Sequence, residues 1–106
     1  VTDLMPHEKY PYDFFMIGIA ESYYKLNETE KANQIVKKYS SIMLQKMKYI
    51  TSLGPRFDGY FDYDFRVNIQ TLSELSSLAG TYGQTDLKTS IDNGINLFLG
   101  KYSSQK

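Results

Sequence analysis

Apolar residues recur along this chain in steps of three and four, broken by short polar turns, and that rhythm predicts helices. Met16, Ile19, Ala20, Tyr23 and Leu26 form one stripe; Ala32, Ile35, Val36 and Tyr39 form the next. The polar run Asn27-Glu28-Thr29-Glu30 between them is too short for the helices to do anything but fold back on each other. The first helix is expected to start at Tyr10-Pro11-Tyr12-Asp13, since proline suits a first turn. Asn27 is placed to cap the second helix, with Glu30 three residues on as a capping-box partner. That helix continues through Ile42, Met43, Met47 and Ile50 to a stop at Gly54-Pro55, where glycine closes a helix and proline prevents its continuation.

A third helix is expected to begin near Asp62 or Asp64, with Phe65, Ile69, Leu72, Leu75, Ala79 and Tyr82 as its stripe and Gly80 and Gly83 marking its end. Thr85 is placed to cap a fourth, Asp86 to complement its dipole, and Leu87, Ile91, Ile95, Phe98, Leu99 and Tyr102 to form its apolar face. No segment sustains the alternation of a strand, so the fold class is all-α, about four main helices in two antiparallel hairpins. A shift of 56 positions strengthens this reading. It carries Met16 onto Leu72, Ile19 onto Leu75, Leu26 onto Tyr82, and the turn Asn27–Glu30 onto Gly83–Asp86. The 106 residues then form a single helical domain: hairpin one at about 12–53, a connector at 54–63, and hairpin two at about 64–102.

Composition narrows the function classes. A 42% hydrophobic and 15% aromatic content supports a folded core, and at this length no disulfide or metal is needed to hold it. Twelve basic residues balance twelve acidic ones, which argues against a nucleic-acid partner. The absence of cysteine removes a disulfide scaffold, a thiol nucleophile and a thiolate zinc site together. No apolar run approaches the roughly 20 residues of a membrane span. The chain opens on Val1 without a signal-like segment, and is read as a fragment of a longer protein.

The block Met16-x-x-Ile19-Ala20-x-x-Tyr23-x-x-Leu26-Asn27, with Ala32, Val36 and Tyr39, resembles a tetratricopeptide repeat. Its small residues Ala20 and Ala32 would let two helices approach closely. The standard repeat is about 34 residues, so the spacing here implies a lengthened second helix and an inserted connector, a short right-handed bundle or solenoid. Ser76 and Lys88 stand in the second copy where Ala20 and Ala32 stand in the first. With its lead-in Leu4-Met5-Pro6 and Tyr10-Pro11-Tyr12, the whole chain is similar to the soluble C-terminal region of a bacterial family of multi-pass membrane proteins. Their N-terminal parts resemble protein O-mannosyltransferases and related lipid-linked-sugar glycosyltransferases. That resemblance implies a membrane-associated parent with this domain facing outward from the cytoplasm, and catalytic carboxylates in the membrane portion rather than here.

Individual constellations point the same way. The trio Asp58, Asp62 and Asp64 fits no EF-hand spacing, and capping and solvating the connector is its expected role in preference to metal binding or a glycosidase acid–base pair. Phe57, Tyr60, Phe61 and Tyr63 in that connector are candidate partner-binding residues, since an insertion carrying four rings must pack back on the helices or meet a partner. Phe14, Phe15, Met16 and Ile17 are more apolar residues than one stripe can hide; helix one is either central in its bundle or docked on one side against another part of the protein. Lys31, Lys37, Lys38, Lys46 and Lys48 read as a solvated face, with contact to anionic lipid as the alternative. His7 stands alone, Asn27-Glu28-Thr29 matches a glycosylation triplet that its turn already explains, and no phosphate-cradling glycine loop is present.

No catalytic residue, cofactor or metal is therefore expected. The expected function is a non-catalytic helical interaction or scaffold domain whose partner is its own membrane domain or another protein. A free-standing peptide-binding adaptor and a carbohydrate-binding accessory domain built on Phe57, Tyr60, Phe61 and Tyr63 are the alternatives.

Overall fold

The two polar turns dictate how the helices are joined, and they do it with identical chemistry. Asn27 has a positive φ of 65° and Gly83 one of 84°, a conformation that glycine and asparagine adopt at least cost. Around Asn27, Glu28 N–H donates to Tyr23 C=O at 2.9 Å and Asn27 N–H to Tyr24 C=O at 3.0 Å. Around Gly83, Gln84 N–H donates to Ala79 C=O at 2.8 Å and Gly83 N–H to Gly80 C=O at 3.2 Å. Each pair of bonds is the Schellman closure that satisfies the last carbonyls of a helix. The next helix then starts at once: Glu28 C=O accepts from Ala32 N–H at 3.1 Å, and Gln84 C=O from Lys88 N–H at 3.0 Å.

The computed structural model describes residues 10–52 and 59–104. It is all-α, with α1 (Tyr10–Lys25), α2 (Thr29–Ser52), α3 (Gly59–Thr81) and α4 (Thr85–Ser104) in order. No strand occurs among the described residues, and no helix among them is long and apolar enough to cross a membrane.

Three expected boundaries are corrected. Asn27 ends α1 instead of capping α2, because the left-handed position of a Schellman closure needs it there; Glu28 holds the N-cap position. Thr85 is likewise the first residue of α4, with Gln84 before it. Helix α3 starts at Gly59, not near Asp62 or Asp64, so Tyr60, Phe61 and Tyr63 are helical and not in a looped insertion. The expected stop at Gly54-Pro55 lies outside the described residues.

Helix α2 is the centre of the structure: it packs against α1, α3 and α4, and α3 packs against α4. Phe65 meets Tyr102, Ser76 meets Asp92 and Gly80 faces Lys88, so the partners descend α4 as they climb α3 and the pair is antiparallel. Val36, Tyr39, Met43, Met47 and Ile50 from α2 share one core with Phe65, Leu72, Leu75 and Ala79 from α3 and Ile91 and Phe98 from α4. Ala20 is the fully buried contribution among the described side chains of α1. The α4 backbone approaches α2 closely at Gly94, where an added Cβ would lie 2.6 Å from Leu44 Cδ2.

Helix α1 is therefore an edge helix packed chiefly on α2, not the central one. Among its described side chains Met16 and Ile17 are half-buried and Ile19 is exposed. A first-pair helix has its partner on one side only, which leaves part of its apolar surface uncovered.

Candidate functional site

The aromatic connector does not form one looped site. Tyr60, Phe61 and Tyr63 lie in the first turns of α3, Tyr63 is 62% exposed, and Phe57 lies outside the described residues. Asp62 and Asp64 are also within α3, and Asp58 lies outside the described residues. No group of three potential metal ligands occurs among the described residues.

One interhelical polar cluster has the residue types of chemistry. Ser76 Oγ donates to Asp92 Oδ1 at 2.5 Å. Lys88 Nζ donates to Ser76 Oγ at 2.9 Å and approaches Asp92 Oδ2 at 3.4 Å. The hydrogen bond from Ser76, then the hydrogen bond and charge of Lys88, hold the Asp92 carboxyl below its ordinary value against a contribution from burial. A serine between a lysine and a carboxylate is the raw material of a nucleophile. Ser76 is nevertheless only 3% exposed and both its hydroxyl proton and a lone pair are engaged, so the cluster ties α3 to α4 with its hydroxyl withdrawn from solvent.

This cluster explains the two departures from the first repeat. Ser76 and Lys88 take the places of Ala20 and Ala32, and Asp92 that of Val36. In the first pair those three residues are fully buried; in the second, a hydrogen-bonded triad replaces the small-residue contact. The pairing was detectable in the sequence as two departures at positions that must be neighbours if Ala20 and Ala32 are.

The lysines do not form one solvated face. Lys31, Lys37, Lys38 and Lys48 are exposed, but Lys46 is only 7% exposed. It stands three residues from Met43 and four from Ile50 on the buried stripe of α2, and its position, not its charge, was the signal. A long aliphatic stem allows such a residue to lie along an apolar interior. Buried Thr51 and Thr71 satisfy their hydroxyls by donating to Met47 C=O at 2.8 Å and Val67 C=O at 3.0 Å.

The two turns lie side by side at one end of the molecule. Tyr24 stacks on Tyr82 with centroids 4.1 Å apart, Gln84 Nε2 donates to Asn33 C=O at 3.2 Å, and Lys31 Nζ sits 5.4 Å from the Tyr23 ring centroid. Burial, followed by the charge of Glu21, raises the Tyr82 phenol above its ordinary value. An open cleft of about 370 Å³ beside this end is lined by Lys37, Ser90 and the stretch from Gly83 to Leu87. It brings one lysine and one aspartate to a helix start, a mixed lining with no convergent set of donors.

The outer faces carry the most distinctive surface feature. Ile19 is 42% exposed, whereas Leu75, its counterpart one repeat on, is 1% exposed. Leu99 is 42% exposed, whereas Met43, its counterpart one repeat back, is 1% exposed. Leu26 on the α1 side and Leu97 on α4 are exposed as well. The uncovered apolar residues of α1 and α4 thus include positions that are core in the middle of the structure. These four were assigned to stripes or passed over in the sequence, because periodicity marks which face is apolar and not whether a neighbour covers it. No known family, curated protein or solved structure matches this chain.

Proposed function

We propose that this chain is a non-catalytic helical interaction module of tetratricopeptide-like character, which uses the outer faces of α1 and α4 to hold other protein elements. The observation that carries this reading is the exposure of Ile19 and Leu99 where their repeat counterparts Leu75 and Met43 are buried. An apolar position that is core in one repeat and bare in the other fits a surface meant to be covered. The resemblance to C-terminal regions of glycosyltransferase-like membrane proteins supplies the setting of the proposal: an appendage that stabilises or positions a larger assembly.

The test is made in the full-length parent protein. Ile19→Glu and Leu99→Glu are expected to abolish its cellular activity while leaving the helical circular dichroism and melting temperature of the domain unchanged. Ser76→Ala is expected to retain that activity. A Ser76→Ala protein that folds normally but is inactive would overturn the reading in favour of chemistry at the α3–α4 cluster.

A further inference from the structure

We propose that Asn27 is the acceptor of an N-linked glycan. The chain holds a single asparagine-x-threonine triplet, Asn27-Glu28-Thr29, the pattern that marks acceptor asparagines in surface segments. This goes beyond the interaction reading and does not depend on it. The turn between α1 and α2 accounts for the left-handed φ of Asn27, but it uses neither the Asn27 side-chain amide nor Thr29. Gly83 holds the equivalent position between α3 and α4 with no side chain, and the same closing hydrogen bonds form around it.

The structure presents the triplet as an acceptor must be presented. Asn27, Glu28 and Thr29 are all exposed, in the link where α1 has ended and α2 begins. Glu28 holds the N-cap position, its C=O accepting from Ala32 N–H at 3.1 Å, so the Thr29 hydroxyl is not needed to start the helix. Among the described residues no hydrogen bond engages the Asn27 amide or the Thr29 hydroxyl. The middle residue is instead tied toward α2, with Glu28 Oε1 3.0 Å from Lys31 Nζ. An open amide and an open hydroxyl therefore flank a side chain that is held away. The donor is an oligosaccharide carried on a lipid pyrophosphate. The bond that forms joins Asn27 Nδ2 to the anomeric carbon, and the bond that breaks joins that carbon to the pyrophosphate oxygen. The lipid pyrophosphate leaves with the electron pair, and the amide gives one proton to a base of the transferase. Ile19 lies about 12 Å back along α1 at the helical rise, so a glycan on the turn leaves the α1 outer face open.

The test is mass spectrometry of the full-length parent protein isolated from its own cells, before and after a peptide N-glycosidase in heavy-oxygen water. The peptide containing Asn27 is expected to carry a glycan that the enzyme removes, leaving a heavy-oxygen label at that position. Asn27→Gly and Thr29→Ala are each expected to lose the glycan completely. Asn27→Gly keeps the left-handed position as Gly83 does, so its loss cannot be laid to a broken turn, and unchanged helical circular dichroism of the domain checks this. Gly83→Asn completes a second triplet with Gln84 and exposed Thr85 and is expected to add a second glycan. A parent protein with no glycan at Asn27, or a glycan that survives Thr29→Ala, overturns the proposal. A Gly83→Asn protein that folds and gains no second glycan overturns the claim that this exposed turn is what presents the acceptor. Ile19→Glu and Leu99→Glu are expected to leave the glycan in place, so failure of the interaction reading would be seen separately.

Discussion

The same chemical change, glycine to alanine, should move stability in opposite directions at Gly83 and Gly18. Gly83 has a φ of 84°, and no atom lies within 4 Å of where its Cβ would be. Steric contact with neighbours is therefore absent, and the whole cost is that of holding an L-residue in the left-handed region, about 1–2 kcal/mol. Restricting the unfolded chain returns about 0.4–1 kcal/mol, which leaves a net loss near 1 kcal/mol. Gly18 lies inside α1, likewise with nothing within 4 Å of the added Cβ. There alanine removes the helix penalty of glycine and should stabilise by about 1 kcal/mol. In a domain of this size each change corresponds to about 4 °C in melting temperature. Thermal denaturation followed by circular dichroism reads both. Gly83→Asn should recover most of the loss, because asparagine occupies the equivalent turn position at Asn27. A Gly83→Ala protein that melts higher than the parent would refute the assigned turn geometry, and a Gly18→Ala protein that melts lower would refute the open environment of α1.

Two further outcomes follow from the packing and the polar cluster. Phe98→Ala empties a fully buried position and should cost about 3–5 kcal/mol, whereas Leu97→Ala, its exposed neighbour, should stay within about 0.5 kcal/mol of the parent; urea denaturation separates them, and equal losses would mean that the rotation of α4 is wrong. The folded Asp92 carboxyl lies below its ordinary value, so its contribution to stability is complete above the unfolded carboxylate range and is lost as pH falls through the depressed folded value. Ser76→Ala removes the largest cause, and carbon-detected NMR titration should find the Asp92 carboxyl moved up toward its ordinary value with a flatter acid limb of stability; an unmoved carboxyl would show that Ser76 does not hold it.

Helical periodicity made the four-helix, all-α character legible, because the apolar steps in α2 and α3 were long and regular. What it misjudged has physical causes. Asparagine serves both a helix start and a left-handed helix end, and in a three-residue link only the backbone dihedral tells which; Asn27 does the second. Lys46 was classed by its charge although its spacing from Met43 and Ile50 placed it on the buried stripe. Helix α1 was crowded with apolar residues, yet it packs chiefly on α2 and leaves Ile19 exposed. The aromatic cluster looked like an insertion because proline and glycine precede it, yet α3 takes up Tyr60, Phe61 and Tyr63. The candidate faces were not legible at all from stripes, since periodicity marks which side of a helix is apolar and not whether a neighbour covers it.

The most direct measurement compares methyl NMR spectra of the isotopically labelled domain alone and within its full-length parent protein. Interaction through the outer faces predicts that the methyl signals of exposed Ile19 and Leu99 move in the parent while buried Leu75 and Met43 stay fixed. Unmoved Ile19 and Leu99 methyl signals would contradict it.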